Sequence, residues 1–96
     1  MHARVTSVAG SPANIDAGTD SFRTNVVPFA RDHGKGAILL IDRESGEGLA
    51  ITLWEDEEAM RASEEQANEL RAGAASDLGA TDAPTVARYE VAVFEV

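Results

Sequence analysis

Two short apolar runs, Ala37-Ile38-Leu39-Leu40-Ile41 and Leu49-Ala50-Ile51-Thr52-Leu53-Trp54, constrain this chain more than any other feature. A polar loop containing Gly46 and Gly48 joins them, which is the pattern of a β-hairpin. Successive residues of a strand point to opposite faces, so Ala37, Leu39 and Ile41 look one way and Ile38 and Leu40 the other. A strand with one wet face alternates apolar and polar residues, and these runs do not. The sheet that contains them therefore needs a cover on each side.

The rest of the chain supplies one cover. His2 to Ala9 carries β-branched residues without helical spacing and reads as a first strand, broken by Gly10-Ser11-Pro12. Ser11 before Pro12 suits a helix start. A first helix is expected from about Pro12 to Asp32, with Ile15, Phe22, Val26 and Phe29 as its apolar stripe. Gly18 and Pro28 should make it irregular, kinked or shortened. After a turn at 33–36 and the hairpin, Asp56 is placed to cap a second helix running to about Ala72. Its buried stripe is Met60, Ser63, Ala67 and Leu70. Glu57 and Arg61 form an i,i+4 pair, and the Glu57-Glu58 and Glu64-Glu65 pairs are expected on the wet side. Residues 72–83 read as a loop, Pro84 ends it, and Thr85 to Val96 reads as the last strand. Ala87, Tyr89, Val91 and Val93 share one of its faces. Arg88, Glu90, Ala92 and Phe94 share the other. No internal repeat or low-complexity tract is present.

Strand, helix, hairpin, helix, strand is an α+β order of the ferredoxin-like β-α-β-β-α-β kind, with a four-stranded antiparallel sheet. At 96 residues the chain reads as one domain, residues 1–96. Two helices cover one sheet face, and nothing is left for the other. A second copy of the chain is the simplest cover, so a homodimer is expected.

Composition removes several functions. Seventeen acidic residues face eight basic ones, a net charge of −9, and the arginines are scattered singly. Nucleic acid and anionic membrane surfaces are therefore poor partners. Without cysteine there is no disulfide, thiolate nucleophile or cysteine metal site. The N-terminus lacks an apolar signal core, and the run 37–41 is far short of a membrane span, so a cytoplasmic location is expected.

Four segments carry a family resemblance. Val26-Val27-Pro28-Phe29-Ala30-Arg31, the stretch from Gly34 to Arg43, the stretch from Ile51 to Met60, and Ala87-Arg88-Tyr89-Glu90-Val91 resemble the antibiotic-biosynthesis-monooxygenase (ABM) superfamily of dimeric α/β barrels. The resemblance covers nearly the whole chain. It implies a homodimer with two sheets face to face and a cavity in each subunit between sheet and helices. Members include cofactor-independent monooxygenases acting on quinol-like or polyketide aromatics, haem-degrading enzymes, and many proteins with no assigned activity. Members of the haem branch resemble each other in an Asn on the first strand, a Trp, and an iron-ligating His on the second helix. Here the first strand has no Asn and the second helix no His, and only Trp54 could match.

In cofactor-free oxygenation the substrate's own carbanion reduces oxygen. The protein supplies a dry pocket, a group to take a proton, and donors that hold the anion. His33 and Asn25 are the candidate catalytic residues, and Trp54, Tyr89 and Phe22 the candidate substrate-binding walls. Each has a plain alternative that weighs more. Trp54, Tyr89 and Phe22 suit core packing, Asn25 suits solvent, and His33 suits a cation at a helix C-terminus. No carboxylate dyad, phosphate loop, nucleophile elbow or metal-ligand spacing is present, and no metal or cofactor is expected.

Two readings follow from the sequence. One is a cofactor-independent monooxygenase acting on a small hydrophobic aromatic or quinol-like substrate. The other is a non-catalytic homodimer of the same fold that binds a small molecule or is purely structural. A proton-transfer isomerisation or cyclisation on the same scaffold is not separated from the first by any residue.

Overall fold

The computed structural model describes residues 1–77 and 84–96. The first strand, β1 (His2–Ala9), lies where expected. The first helix occupies the expected span but is built in four pieces. These are a 3₁₀ turn (Pro12–Asn14), α1 (Ile15–Ser21), a π-helical turn (Phe22–Val26) and α2 (Val27–His33). Pro28 explains the π turn. It has no N–H to donate, and in a regular helix its ring would strike the carbonyl of Thr24. The widened turn relieves that contact, and the Val27 N–H reaches back five residues to the Phe22 carbonyl. The apolar stripe survives, with Ile15, Phe22 and Phe29 buried and Val26 half-buried.

The hairpin strands are β2 (Gly36–Ile41) and β3 (Glu47–Trp54). Helix α2 comes very close to β3 at Gly34, where a Cβ would sit 2.5 Å from the Leu53 carbonyl oxygen and 3.0 Å from Cε3 of Trp54. The Asp56 carboxylate caps α3 (Glu57–Ala62) by accepting from the Ala59 N–H at 2.8 Å. Ser63 breaks the helical run, and α4 (Glu64–Asp77) continues it. The second helical stretch thus runs past Ala72, and the first part of the segment read as a loop is helical. The remainder, 78–83, lies outside the described residues.

The last strand, β4 (Thr85–Glu90), is shorter than the expected Thr85 to Val96. Its end is set by its neighbour. Glu90 pairs with His2 at the start of β1, and one further bond follows, from the Val91 N–H to the Met1 carbonyl at 2.8 Å. Beyond that no described residue pairs with the chain, and Ala92 to Val96 are exposed.

The sheet order is β2-β3-β1-β4, all antiparallel, which is the ferredoxin-like arrangement. Register places Ala37, Thr52, Arg4 and Arg88 in one row across the sheet, and Leu39, Ala50, Thr6 and Val86 in the next row on the same face. This face meets the helices. Phe29, Trp54, Met60 and Ala67 form its core, with Leu70 packed against them. The opposite face carries Ile38, Leu40, Leu49 and Tyr89, all exposed.

Candidate functional site

Strand alternation turns Arg4, Thr6 and Val8 of β1 toward the helices, beside Ala50 and Thr52 of β3. Above them, Phe22 and Val26 of the π turn, Phe29 of α2 and Leu70 of α4 form an apolar roof. The space between is a cavity of about 50 Å³, open on one side. Its lining is apolar except on the sheet floor, where Arg4, Thr6 and Thr52 sit.

Arg4 is 2% exposed. A buried guanidinium is tolerable only when its charge and donors are matched. Its Nη2 donates to the Met60 carbonyl at 2.7 Å and to Ser63 Oγ at 3.0 Å, and its Nε donates to Glu64 Oε1 at 3.3 Å. The break between α3 and α4 makes this fit. Helix α3 ends there, and its Met60 carbonyl accepts the Ser63 N–H at 3.2 Å and the Ser63 hydroxyl at 2.7 Å as well as Arg4 Nη2, at the negatively polarised helix end that suits a cation. On its other side the Arg4 guanidinium lies 5.2 Å from the centre of the Trp54 ring.

Glu64 accepts a second guanidinium, from Arg88 Nε at 2.7 Å. That bond, with Arg4 nearby, holds the Glu64 carboxyl below the usual carboxylate range, against the opposing effect of burial. The same bond raises Arg88. Burial lowers Arg4, with Glu64 opposing, and the guanidinium remains a cation at neutral pH. The expectation that Glu64 lies on the wet side is corrected here. It is half-buried and bridges two arginines, while Glu65 is exposed.

The candidates named from sequence divide. Phe22 lines the cavity. Trp54, fully buried, stands behind the floor. Its Nε1 donates to Thr52 Oγ1 at 3.0 Å, and its ring meets Phe29 edge-on at 5.7 Å. Asn25 is exposed and its amide donates to Ser21 Oγ at 3.4 Å. His33 is exposed at the end of α2, with its ring 5.3 Å from that of Phe29. Tyr89 is 58% exposed on the opposite sheet face. The structure therefore places Phe22 on the cavity wall, Trp54 behind its floor, and Asn25, His33 and Tyr89 outside it. Sequence reasoning missed Arg4, Thr6, Thr52 and Glu64. The signal available was a charged residue in the middle of a β-branched strand at the centre of the sheet. Among the described residues no group of His, Asp or Glu side chains is arranged to hold a metal ion, and no helix is long and apolar enough to cross a membrane.

Among solved structures, a monooxygenase from the gene ActVA-Orf6 of Streptomyces coelicolor, in complex with the ligand nanaomycin D, is similar. The TM-score is 0.75, over 99% of this chain and 92% of that chain, at 17% identity. At that identity the likeness shows the fold, an α+β ferredoxin-like sheet with helices on one side. In sequence, the uncharacterized protein Rv2557 of Mycobacterium tuberculosis (strain H37Rv) is 37% identical over 94 residues, covering 96% of this chain and 41% of the relative. The uncharacterized protein Rv2558 of the same strain is 39% identical over 77 residues, covering 78% of this chain and 33% of the relative. The chain thus spans at most about two fifths of the length of these relatives. No protein-family model matches it.

Proposed function

We propose that this chain is a cofactor-independent, ABM-like monooxygenase whose substrate is a small hydrophobic aromatic or quinol-like molecule bound between sheet and helices. The observation that carries this reading is the cavity itself, an apolar space with a roof of aromatic and aliphatic side chains and hydrogen-bonding groups gathered on the floor. The fold shared with a monooxygenase supports it by analogy, and fold alone does not fix chemistry. A phenol oxidised this way consumes one O₂. One oxygen atom becomes the new quinone carbonyl, and the other leaves as water with two substrate hydrogens. Phe22 would bound the ring, and Trp54 would hold Thr52 and Arg4 in place from behind.

The same chain is proposed to pair with a second copy through its open sheet face. Ile38, Leu40 and Leu49 are more than a third exposed there, a large apolar display for a monomer. Pairing would also draw Tyr89 into an interface.

One observation favours the non-catalytic alternative. Among the described residues that line the cavity none is a His, Asp or Glu to accept a proton, and His33 lies outside. Oxygen-electrode measurements with a panel of phenols and quinols, together with the absorbance of quinone product, decide between the two. Uptake in proportion to quinone formed supports the enzyme. No uptake across the panel leaves the binding or structural homodimer.

A further inference from the structure

The floor of the cavity has a chemistry the roof lacks. Arg4 commits Nε and Nη2 to Glu64, Met60 and Ser63, and Nη1 makes no hydrogen bond with any described residue. The Thr52 hydroxyl accepts from the Trp54 indole, so its own hydrogen remains to be donated. Thr6 is buried as a residue and lines the cavity, and its hydroxyl makes no hydrogen bond with a described residue. Register makes Arg4 and Thr52 direct cross-strand partners, with Thr6 two residues along β1 on the same face. Three donors therefore share one small area of an otherwise apolar cavity.

Charge points the same way. One carboxylate, Glu64, ion-pairs with both Arg4 and Arg88. Within that trio two positive charges meet one negative. The whole chain, at −9, repels anions. Any preference of the cavity for an anion must then come from this local cation.

We propose that the cavity selects a ligand that is apolar over most of its body and carries an anionic oxygen at one edge, such as a phenolate, enolate or carboxylate. The anionic oxygen sits on the sheet floor against Arg4 Nη1, with Thr6 and Thr52 donating to it. The remainder of the ligand lies under Phe22 and Val26 and extends through the open side, since about 50 Å³ holds only the polar edge and part of a ring. In this arrangement Arg4 is held rigidly by its helix-end contacts, so little ordering is needed when the ligand arrives. The assignment rests on the cavity being the ligand site named above, and not on the reaction.

The test is calorimetric titration of the full chain with 4-nitrophenol and nitrobenzene, at pH values below and above the ionisation of the phenol. Affinity for 4-nitrophenol should rise about tenfold or more as it becomes the phenolate, the scale of one charge-assisted hydrogen bond, while nitrobenzene stays flat. Arg4→Met should abolish the rise. Thr6→Val keeps the β-branched shape and should weaken phenolate binding several-fold without affecting nitrobenzene, which tests the floor even where Arg4→Met folds poorly. Equal affinity for phenolate and nitrobenzene in the wild-type chain overturns the proposal. So does a phenolate preference that survives in both variants, or no binding of either probe. Anion-selective binding without oxygen uptake would remove the enzyme reading alone. Oxygen uptake without anion selectivity would remove this inference alone.

Discussion

Arg4 and Glu64 lie 60 residues apart in the chain, yet Nη2 of the arginine is 3.2 Å from Oε1 of the glutamate. The two are unequally placed, with 3% of the Arg4 side chain exposed and 25% of that of Glu64. Removing the carboxylate leaves a buried cation with only a carbonyl and a hydroxyl. Removing Arg88 leaves Glu64 still paired to Arg4, and Arg88 itself is 45% exposed. Glu64→Gln should therefore cost about 2–3 kcal/mol of unfolding free energy, somewhat below the loss expected for a fully buried pair. Arg88→Gln should cost about 1 kcal/mol or less. Urea unfolding of the two variants measures both, and the reverse order would refute this account of the trio.

The Glu64 carboxyl is also a source of acid sensitivity. Its pKa in the folded chain is lowered from the ordinary 4.5, chiefly by the Arg88 hydrogen bond. A depressed carboxylate contributes stability that is fully present above its unfolded value and is lost as pH falls through its folded value. Stability from this group should be flat above about pH 4.5 and decline below it. The decline should be shallower in Glu64→Gln, which cannot titrate. Unfolding midpoints followed from pH 6 to about pH 3 check the difference, and parallel curves would remove Glu64 as a contributor.

Two glycines should respond in opposite directions to alanine. Gly46 in the hairpin loop has φ +82°, and a Cβ there would lie 2.6 Å from the Pro12 nitrogen and 2.8 Å from the Gly10 carbonyl oxygen. These are backbone atoms and cannot swing away, so Gly46→Ala should destabilise by about 2 kcal/mol or more. Gly73 is exposed inside α4 with nothing within 4 Å of a new Cβ, so Gly73→Ala should stabilise by about 0.5–1 kcal/mol. Thermal unfolding of the pair gives both signs in one experiment.

The open sheet face yields a test of assembly. Leu40 is 49% exposed and Leu49, its cross-strand partner, 38%. Leu40→Glu should convert a homodimer into monomers at micromolar concentration, by placing like charges across the contact. The isolated fold should lose only about 0.5 kcal/mol, because the position is exposed in the single chain. Native mass spectrometry reads the change directly, and a wild-type monomer would sink the homodimer.

Local features of this fold were legible in the sequence because local physics sets them. The Asp56 cap needs only an acceptor three residues before the Ala59 N–H, and the hairpin needs only two apolar runs and a glycine-bearing loop. The irregular first helix followed from Gly18 and Pro28. Features fixed by a distant partner were not legible. The end of β4 depends on its pairing with β1. The burial of Glu64 depends on Arg4 pointing toward the α3–α4 break, which strand register decides. The polar floor was missed for the same reason. Arg4, Thr6 and Thr52 form a group only after β1 and β3 are aligned, whereas Asn25 and His33 attract attention as isolated polar side chains and end on the surface.

The π turn over Phe22–Val26 carries a consequence for how cavities of this kind diversify. A π turn holds one residue more than the α turn it replaces. Deleting one of its exposed members, Arg23, Thr24 or Asn25, together with replacing Pro28, would let the segment close as ordinary α-helix while α1 and α2 keep their faces toward the sheet. The roof is thus the stretch of chain where length can change by one without re-aiming its neighbours. Its two cavity-lining side chains, Phe22 and Val26, are the ones such a change would move. Ligand preference on this scaffold can then shift through a one-residue deletion in the roof coupled to the loss of Pro28, with the charged floor left in place.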